Sequence, residues 1–269
     1  MNFNTVKLTP EFSLLLQLSR HDPSEINFPL KEVKQLINEC DISLFLKKLN
    51  QARTWPVVYL NVKRHSIQLP NHAFVLLKKR AEQIVIQNLT HHRLLMQIKK
   101  AFKKEGIPAI SMKGTLLAER LMSNISLRHS KDIDLLVPAQ QFERAAAELE
   151  KLGYECCDIS HFGVSEFNLL QKVTHHSVFH HQQTNFQIEL HWQPCNLTDV
   201  MSFSKQFWHS ELQKKASNCQ LLPDEELLLY LCAHGSIHLW NRLKWLVDIE
   251  QLLTQNDWDW PQLLNKAFE

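Results

Sequence analysis

The chain has 269 residues and a formal net charge of +2, with 44% apolar and 22% charged residues, so it can bury the core of one large or two smaller globular domains. A net charge of +2 neither indicates nor excludes a nucleic-acid partner, since proteins that bind nucleic acid usually have a concentrated basic stripe. No apolar run approaches the roughly 20 residues that span a membrane. Because the amino terminus also lacks a signal-peptide pattern, we expect a cytoplasmic protein with no membrane partner.

The amino-terminal part of the chain is predicted to be helical. Between Leu8 and Glu105 apolar residues recur at helical spacing, and the only strand-like run is Val57-Val58-Tyr59-Leu60. A long helix is predicted over about residues 71–104, where Gly106 is placed to end it. The apolar face of this helix contains Leu89, Leu94, Leu95, Ile98 and Phe102. We expect residues 1–105 to form a helical region packed on the core.

Strands and helices alternate after Gly106. Residues 107–112 are predicted to form a short buried strand, and the next three residues a tight turn into a helix that runs to Met122. A second strand follows over residues 131–137, and Pro138 then begins a helix that Gly153 ends. This order of elements is typical of an α/β unit.

A β-hairpin and a second helical region complete the chain. Residues 174–181 and 186–192 are predicted to form the hairpin, with residues 182–185 as its turn. We therefore expect residues 106–195 to form an α/β core and residues 196–269 a carboxy-terminal helical region. The predicted class is α+β, with a small mixed sheet between two helical regions.

Two aspartates stand one residue apart in the apolar strand Lys131-Asp132-Ile133-Asp134-Leu135-Leu136-Val137. Alternate side chains of a strand share a face, so Asp132 and Asp134 point together while Ile133 and Leu135 face a core. Adjacent carboxylates repel each other unless positive charge lies between them, which makes a divalent cation their natural partner. On the later hairpin strand, Glu189 lies on the polar face and could join them.

These motifs resemble the nucleotidyltransferase superfamily of DNA polymerase beta, with its Gly-Ser turn, a following Asp-x-Asp/Glu and a third carboxylate on another strand. More closely, the chain is similar to a bacterial family of nucleotidyltransferases within that superfamily. The resemblance covers roughly residues 76–253. Its motifs in this chain are Lys113-Gly114, Arg128, the aspartate strand, Gly153-Tyr154, Glu189-Leu190-His191-Trp192, and the later His234, His238 and Asp248.

The resemblance implies transfer of a nucleoside monophosphate from an NTP to a hydroxyl acceptor with release of pyrophosphate. Asp132, Asp134 and Glu189 would be the catalytic carboxylates and would hold two Mg²⁺ ions about 3.5 to 4 Å apart, with Mn²⁺ as an alternative. The superfamily more often has Ser where this chain has Thr115. The residues expected to bind the triphosphate are Lys113, Gly114, Thr115 and Arg128.

Several alternatives stay open at this point. The acceptor could be a small molecule, a protein or an RNA, and neither the base of the NTP nor the oligomeric state follows from the sequence. Lys113 and Arg128 could be structural ion-pair partners instead of phosphate ligands. A nucleotide- or protein-binding module without turnover, or a metal-dependent phosphohydrolase, would use the same residues.

Zinc chemistry is disfavoured by residue spacing. The six cysteines include no Cys-x-x-Cys pair, so we expect reduced thiols and no thiolate zinc site. Adjacent histidines in a strand point to opposite faces, so at most one of His175 and His176, and one of His180 and His181, should converge on a zinc ion. His191 shares the face of Glu189, whereas His234 and His238 are expected to serve packing.

Overall fold

The computed structural model describes residues 8–21, 28–157, 171, 173–184, 186–194 and 220–268. Within these ranges it contains ten α-helices and a five-stranded sheet, which confirms the predicted α+β class. None of the helices in the described part of the chain has the length and hydropathy needed to cross a bilayer.

The helices are α1 (Pro10–Ser19), α2 (Leu30–Glu39), α3 (Ile42–Ala52), α4 (Trp55–Arg64), α5 (Asn71–Lys104), α6 (Thr115–Met122), α7 (Phe142–Lys151), α8 (Asp224–Ile237), α9 (Leu243–Thr254) and α10 (Trp260–Phe268). The strands are β1 (Ile110–Ser111), β2 (Ile133–Leu136), β3 (Tyr154–Cys156), β4 (His176–His181) and β5 (Gln187–His191). The predicted hairpin is therefore β4 and β5; Asn185 of its turn lies outside the described residues.

The strand-like run at residues 57–60 is helical, which corrects the sequence prediction. It lies inside α4, where Pro56 occupies one of the first two positions, a place in which its missing N–H costs no hydrogen bond. Val57 and Val58 are almost completely buried within this helix. Val57 and Val58 pack into two different apolar clusters, and this tertiary packing overrides the preference of β-branched residues for strands.

The long helix α5 spans the predicted residues and connects two parts of the core. Its first half contributes Leu77 and Ile84 to an apolar cluster formed with helices α1 to α4. Its second half packs Leu95 and Phe102 against the sheet. Leu89 does not belong to the buried face, because its side chain is 52% exposed. The helix ends at Lys104, and Gly106, two residues later, has φ 64°, as expected of a glycine that follows a helix.

The sheet order is β1-β2-β5-β4-β3, and only the β2–β5 pair is parallel. Strand β1 has two residues, fewer than predicted, because hydrogen bonding to β2 covers only Ile110 and Ser111. The parallel register pairs Asp134 with Glu189. Residues paired in this way point to the same side of a sheet, so the register itself brings two predicted site residues together.

Apolar residues cover one face of the sheet and leave the other for the site. Ile133, Leu135, Ile188 and Leu190 belong to one buried cluster with α5 and α7. A second cluster joins Leu136 to residues of α6, α8 and α9. The carboxylates of β2 and β5 alternate with the first set, so they face α8 and α9.

Candidate active site

A cavity of about 500 Å³ lies between the polar face of the sheet and helices α8 and α9. It contains all three predicted carboxylates, Asp132, Asp134 and Glu189. Five histidines contribute to its wall: His175, His176, His191, His234 and His238. The six cationic side chains in the wall are Arg53, Lys113, Arg128, Lys131, Arg242 and Lys244. Even with Arg128 balanced by Asp248 outside the wall, the basic side chains outnumber the carboxylates, so the cavity is suited to an anionic ligand.

The three carboxylates differ in position. Asp134 and Glu189 are register partners, and together with His191 each offers a ligand atom within 4.8 Å of the other two. Asp132 lines the same cavity but stands one residue before β2 and outside that cluster. The structure therefore brings the predicted trio into one cavity, with Asp134 and Glu189 sharing a cluster with His191.

Lys113 neutralises the most deeply buried of these three carboxylates. Its Nζ lies 2.8 Å from Oδ1 of Asp134, whose side chain is 1% exposed. Burial raises the pKa of Asp134, but the charges of Lys113 and His191 outweigh burial and hold that pKa well below its usual range. Burial likewise lowers the pKa of Lys113, and Asp134 more than reverses this, so the pKa of Lys113 is raised. Both groups are therefore charged at neutral pH.

Asp132 has the opposite electrostatic environment. Burial raises its pKa, and the negative charge of Asp134 raises it further. A nearby cation stabilises the charged form of such a carboxylate, because it offsets the burial and the repulsion that raise the pKa. Oxygen ligands from Asp132, Asp134 and Glu189 are those that Mg²⁺ prefers. The donor set thus fits a hard divalent cation.

The Lys113-Gly114-Thr115 turn begins α6 as predicted, but its three residues lie in different surroundings. Gly114 has φ 79° and ψ −142°, a conformation that residues with a Cβ rarely adopt. Thr115 is buried, and its hydroxyl lies 3.3 Å from Nδ1 of His92. Lys113 lines the cavity, whereas Gly114 and Thr115 are not among its lining residues. A phosphate role for the last two remains a prediction.

Arg128 lines the cavity and is held in a buried ion pair. Its Nε and Nη2 donate to Oδ1 and Oδ2 of Asp248 at 2.8 and 2.9 Å, and both side chains are at most 2% exposed. The side-chain amide of Asn88 also donates to the carbonyl of Arg128 at 2.7 Å. The geometry supports the structural alternative for Arg128, and its role as a phosphate ligand stays a prediction.

Sequence reasoning missed several residues of the cavity wall. Arg53, at the end of α3, and Lys244, near the start of α9, come from distant parts of the chain. Lys244 donates to the carbonyl of His129 at 2.9 Å, and burial lowers the pKa of its ammonium well below the usual value. No local motif marks these positions, because their proximity depends on how the helices pack.

Two histidine predictions have different outcomes. His234 and His238 line the cavity and pack together against Trp245, with ring centroids 5.2 and 5.4 Å from it, in keeping with a packing role. The expectation that only one of His175 and His176 can converge is wrong, because both lie in one cluster with His191. His175 precedes the first residue of β4, so strand alternation does not separate the two side chains.

The comparisons with known proteins agree with this geometry. Residues 38–269, most of the chain, match the family model described as "Uncharacterised nucleotidyltransferase". Comparison with curated proteins and with solved structures gives no match. The family supports nucleotidyl transfer as the general function and a nucleotide as a substrate. The chain belongs to this family of uncharacterised nucleotidyltransferases.

Proposed function

We propose that the protein transfers a nucleoside monophosphate from an NTP to a hydroxyl acceptor, with Mg²⁺ bound by Asp132, Asp134 and Glu189. The observation that carries this proposal is the parallel β2–β5 register, which pairs Asp134 with Glu189 inside a cavity that is otherwise rich in cations. A negative cluster within a positive cavity suits a substrate that combines a metal with a polyphosphate.

The proposed divalent cation would neutralise charge on the phosphate oxygens during transfer. The protein's own groups have separate tasks. Lys113 remains protonated beside Asp134 and is available to bind a phosphate oxygen. Glu189 has a side chain that is 23% exposed, compared with 1% for Asp134, so it is the more accessible carboxylate for accepting the proton of the acceptor hydroxyl.

The acceptor remains a small molecule, a protein or an RNA in this proposal. Its recognition would involve Arg53, Arg242 and Trp245, which line the cavity away from the sheet. We retain the cytoplasmic location and the three regions, residues 1–105, 106–195 and 196–269, as parts of the same proposal. We also retain Gly114, Thr115 and Arg128 as candidate phosphate-binding residues.

The test measures transfer of label from each of the four α-labelled NTPs, with Mg²⁺, to pools of metabolites, proteins and RNA. We expect labelled product and pyrophosphate from the wild-type chain, and a loss of at least about 100-fold in D132N and E189Q. The matched control is E143Q, which removes an exposed carboxylate of α7 outside the cavity. D134N is a further variant, whose folding is checked by circular dichroism because Lys113 loses its partner.

Three outcomes would contradict the proposal. Unchanged transfer in D132N and E189Q would remove the carboxylates from the mechanism. Steady phosphate release without nucleotidylated product would indicate a phosphohydrolase. Calorimetric binding of Mg·ATP that is equal in wild type, D132N and E189Q, without turnover of any NTP, would indicate a binding module.

A further inference from the structure

A second cluster of candidate metal ligands lies beside the carboxylates. His175, His176 and His191 each offer a ring nitrogen within 4.8 Å of the other two, and all three line the cavity. The ring centroid of His175 lies 4.5 Å from that of His176 and 5.3 Å from that of His191. The rings of His176 and His191 are stacked, with centroids 4.8 Å apart and planes at 29°, so these side chains would rotate to direct three nitrogens at one ion at about 2.0 to 2.1 Å.

The backbone around this histidine cluster is well anchored. His176 and His191 are paired residues of the antiparallel β4–β5 ladder. Immediately before this ladder, the carbonyl of His175 accepts from the backbone N–H of Trp192 at 3.0 Å. The hydroxyl of Thr174 donates to the carbonyl of His176 at 3.2 Å. These hydrogen bonds fix the three Cα positions, so a ligand-binding geometry requires no rearrangement of the strands.

The chemistry of the cluster differs from that of the carboxylates. Imidazole nitrogens suit zinc and other late transition metals, whereas carboxylates and water suit Mg²⁺. Nε2 of His191 lies 3.5 Å from Oε2 of Glu189 and 3.7 Å from Oδ1 of Asp134. A metal-binding histidine commonly directs its second nitrogen toward a carboxylate, which fixes its tautomer. Metal binding at Nδ1 of His191 would release the proton from that nitrogen, while the proton on Nε2 continues to face the carboxylates.

We propose that His175, His176 and His191 form a binding site for a transition-metal cation of the Zn²⁺ type, separate from the carboxylate site for Mg²⁺. Three histidines leave a fourth coordination position for water or a substrate oxygen, as in open zinc sites. Because the ligands line the cavity, that position is accessible to a substrate. The site goes beyond the proposed nucleotidyl transfer and does not depend on it.

The test titrates EDTA-treated, metal-free protein with Zn²⁺ by calorimetry in excess Mg²⁺, and with Co²⁺ by absorption spectroscopy. We expect one Zn²⁺ per chain, and Co²⁺ bands of a low-coordinate nitrogen site without thiolate charge transfer. H175A and H176F should weaken Zn²⁺ binding by at least about 100-fold. H176F keeps a ring stacked on His191, so it removes the ligand with little change in packing.

The matched control is H180A, on the same strand and outside the cluster, which should retain wild-type affinity. The proposal is overturned if no stoichiometric Zn²⁺ binds, or if H175A and H176F bind it as tightly as H180A. It is also overturned if D132N abolishes Zn²⁺ binding while both histidine variants retain it, because the ion would then belong to the carboxylates. None of these readouts requires nucleotidyl transfer, so failure of that activity is distinguishable.

Discussion

Removing Asp248 should destabilise the fold strongly, because it leaves the guanidinium of Arg128 buried without its counter-ion. The two side chains are 0% and 2% exposed and share hydrogen bonds of 2.8 and 2.9 Å. Breaking a buried pair by removing one partner costs about 3 to 5 kcal/mol. Replacing both partners by apolar residues of similar volume removes the buried charges together, so the double variant should lose much less.

The assay is urea unfolding of four proteins: wild type, D248N, R128M and the double variant R128M/D248L. We expect D248N to lower the free energy of unfolding by about 3 kcal/mol or more, and the double variant to lie within about 1 to 2 kcal/mol of wild type. The hydrogen bond from the side-chain amide of Asn88 to the backbone carbonyl of Arg128 is available in every variant, so the difference in unfolding free energy reports the ion pair. A loss below about 1 kcal/mol in D248N would refute the structural role.

Two further stability predictions concern a glycine and a histidine. G114A should cost about 1 to 3 kcal/mol from its φ of 79° rather than from a clash, since the nearest atom to a new Cβ is Ser130 Oγ at 3.6 Å; unchanged thermal unfolding would contradict this. Burial lowers the pKa of His91 to about 4, so below pH 6.5 the unfolded chain binds a proton that the native chain does not, and stability falls as the pH falls toward 4. Urea titrations measure how far the free energy of unfolding decreases between pH 8 and pH 5. H91L should make this decrease smaller by about 2 kcal/mol. The control H72L, at an exposed position of the same helix, should show the same decrease as wild type.

The sequence was most informative where a local period determines the side-chain direction. Because side chains alternate between the two faces of a strand, the sequence predicted Asp134 on the face away from the buried Ile133 and Leu135. The same alternation predicted Glu189 on a polar face. The α+β class followed because the strands and the long α5 carry distinct apolar periods. Where local preference and tertiary packing disagreed, as in α4, the packing decided the structure.

Long-range contacts could not be predicted in this way. Arg53 and Arg242 line one cavity although 189 positions separate them, and neither belongs to a recognisable motif. The bidentate contact of Arg128 with Asp248 spans 120 positions and depends on how α9 docks. His175 shows a subtler limit, because one residue of difference in the start of a strand decides whether alternation applies.

In the proposed mechanism, Asp132, Asp134 and Glu189 hold the divalent cation that binds the NTP. The most direct measurement is a crystal structure with Mn²⁺ and a non-hydrolysable NTP, with anomalous scattering used to locate the metal. We expect an anomalous peak in contact with carboxylate oxygens of these residues and a triphosphate beside Lys113. An NTP bound with its metal elsewhere in the protein, and no peak at these carboxylates, would contradict it.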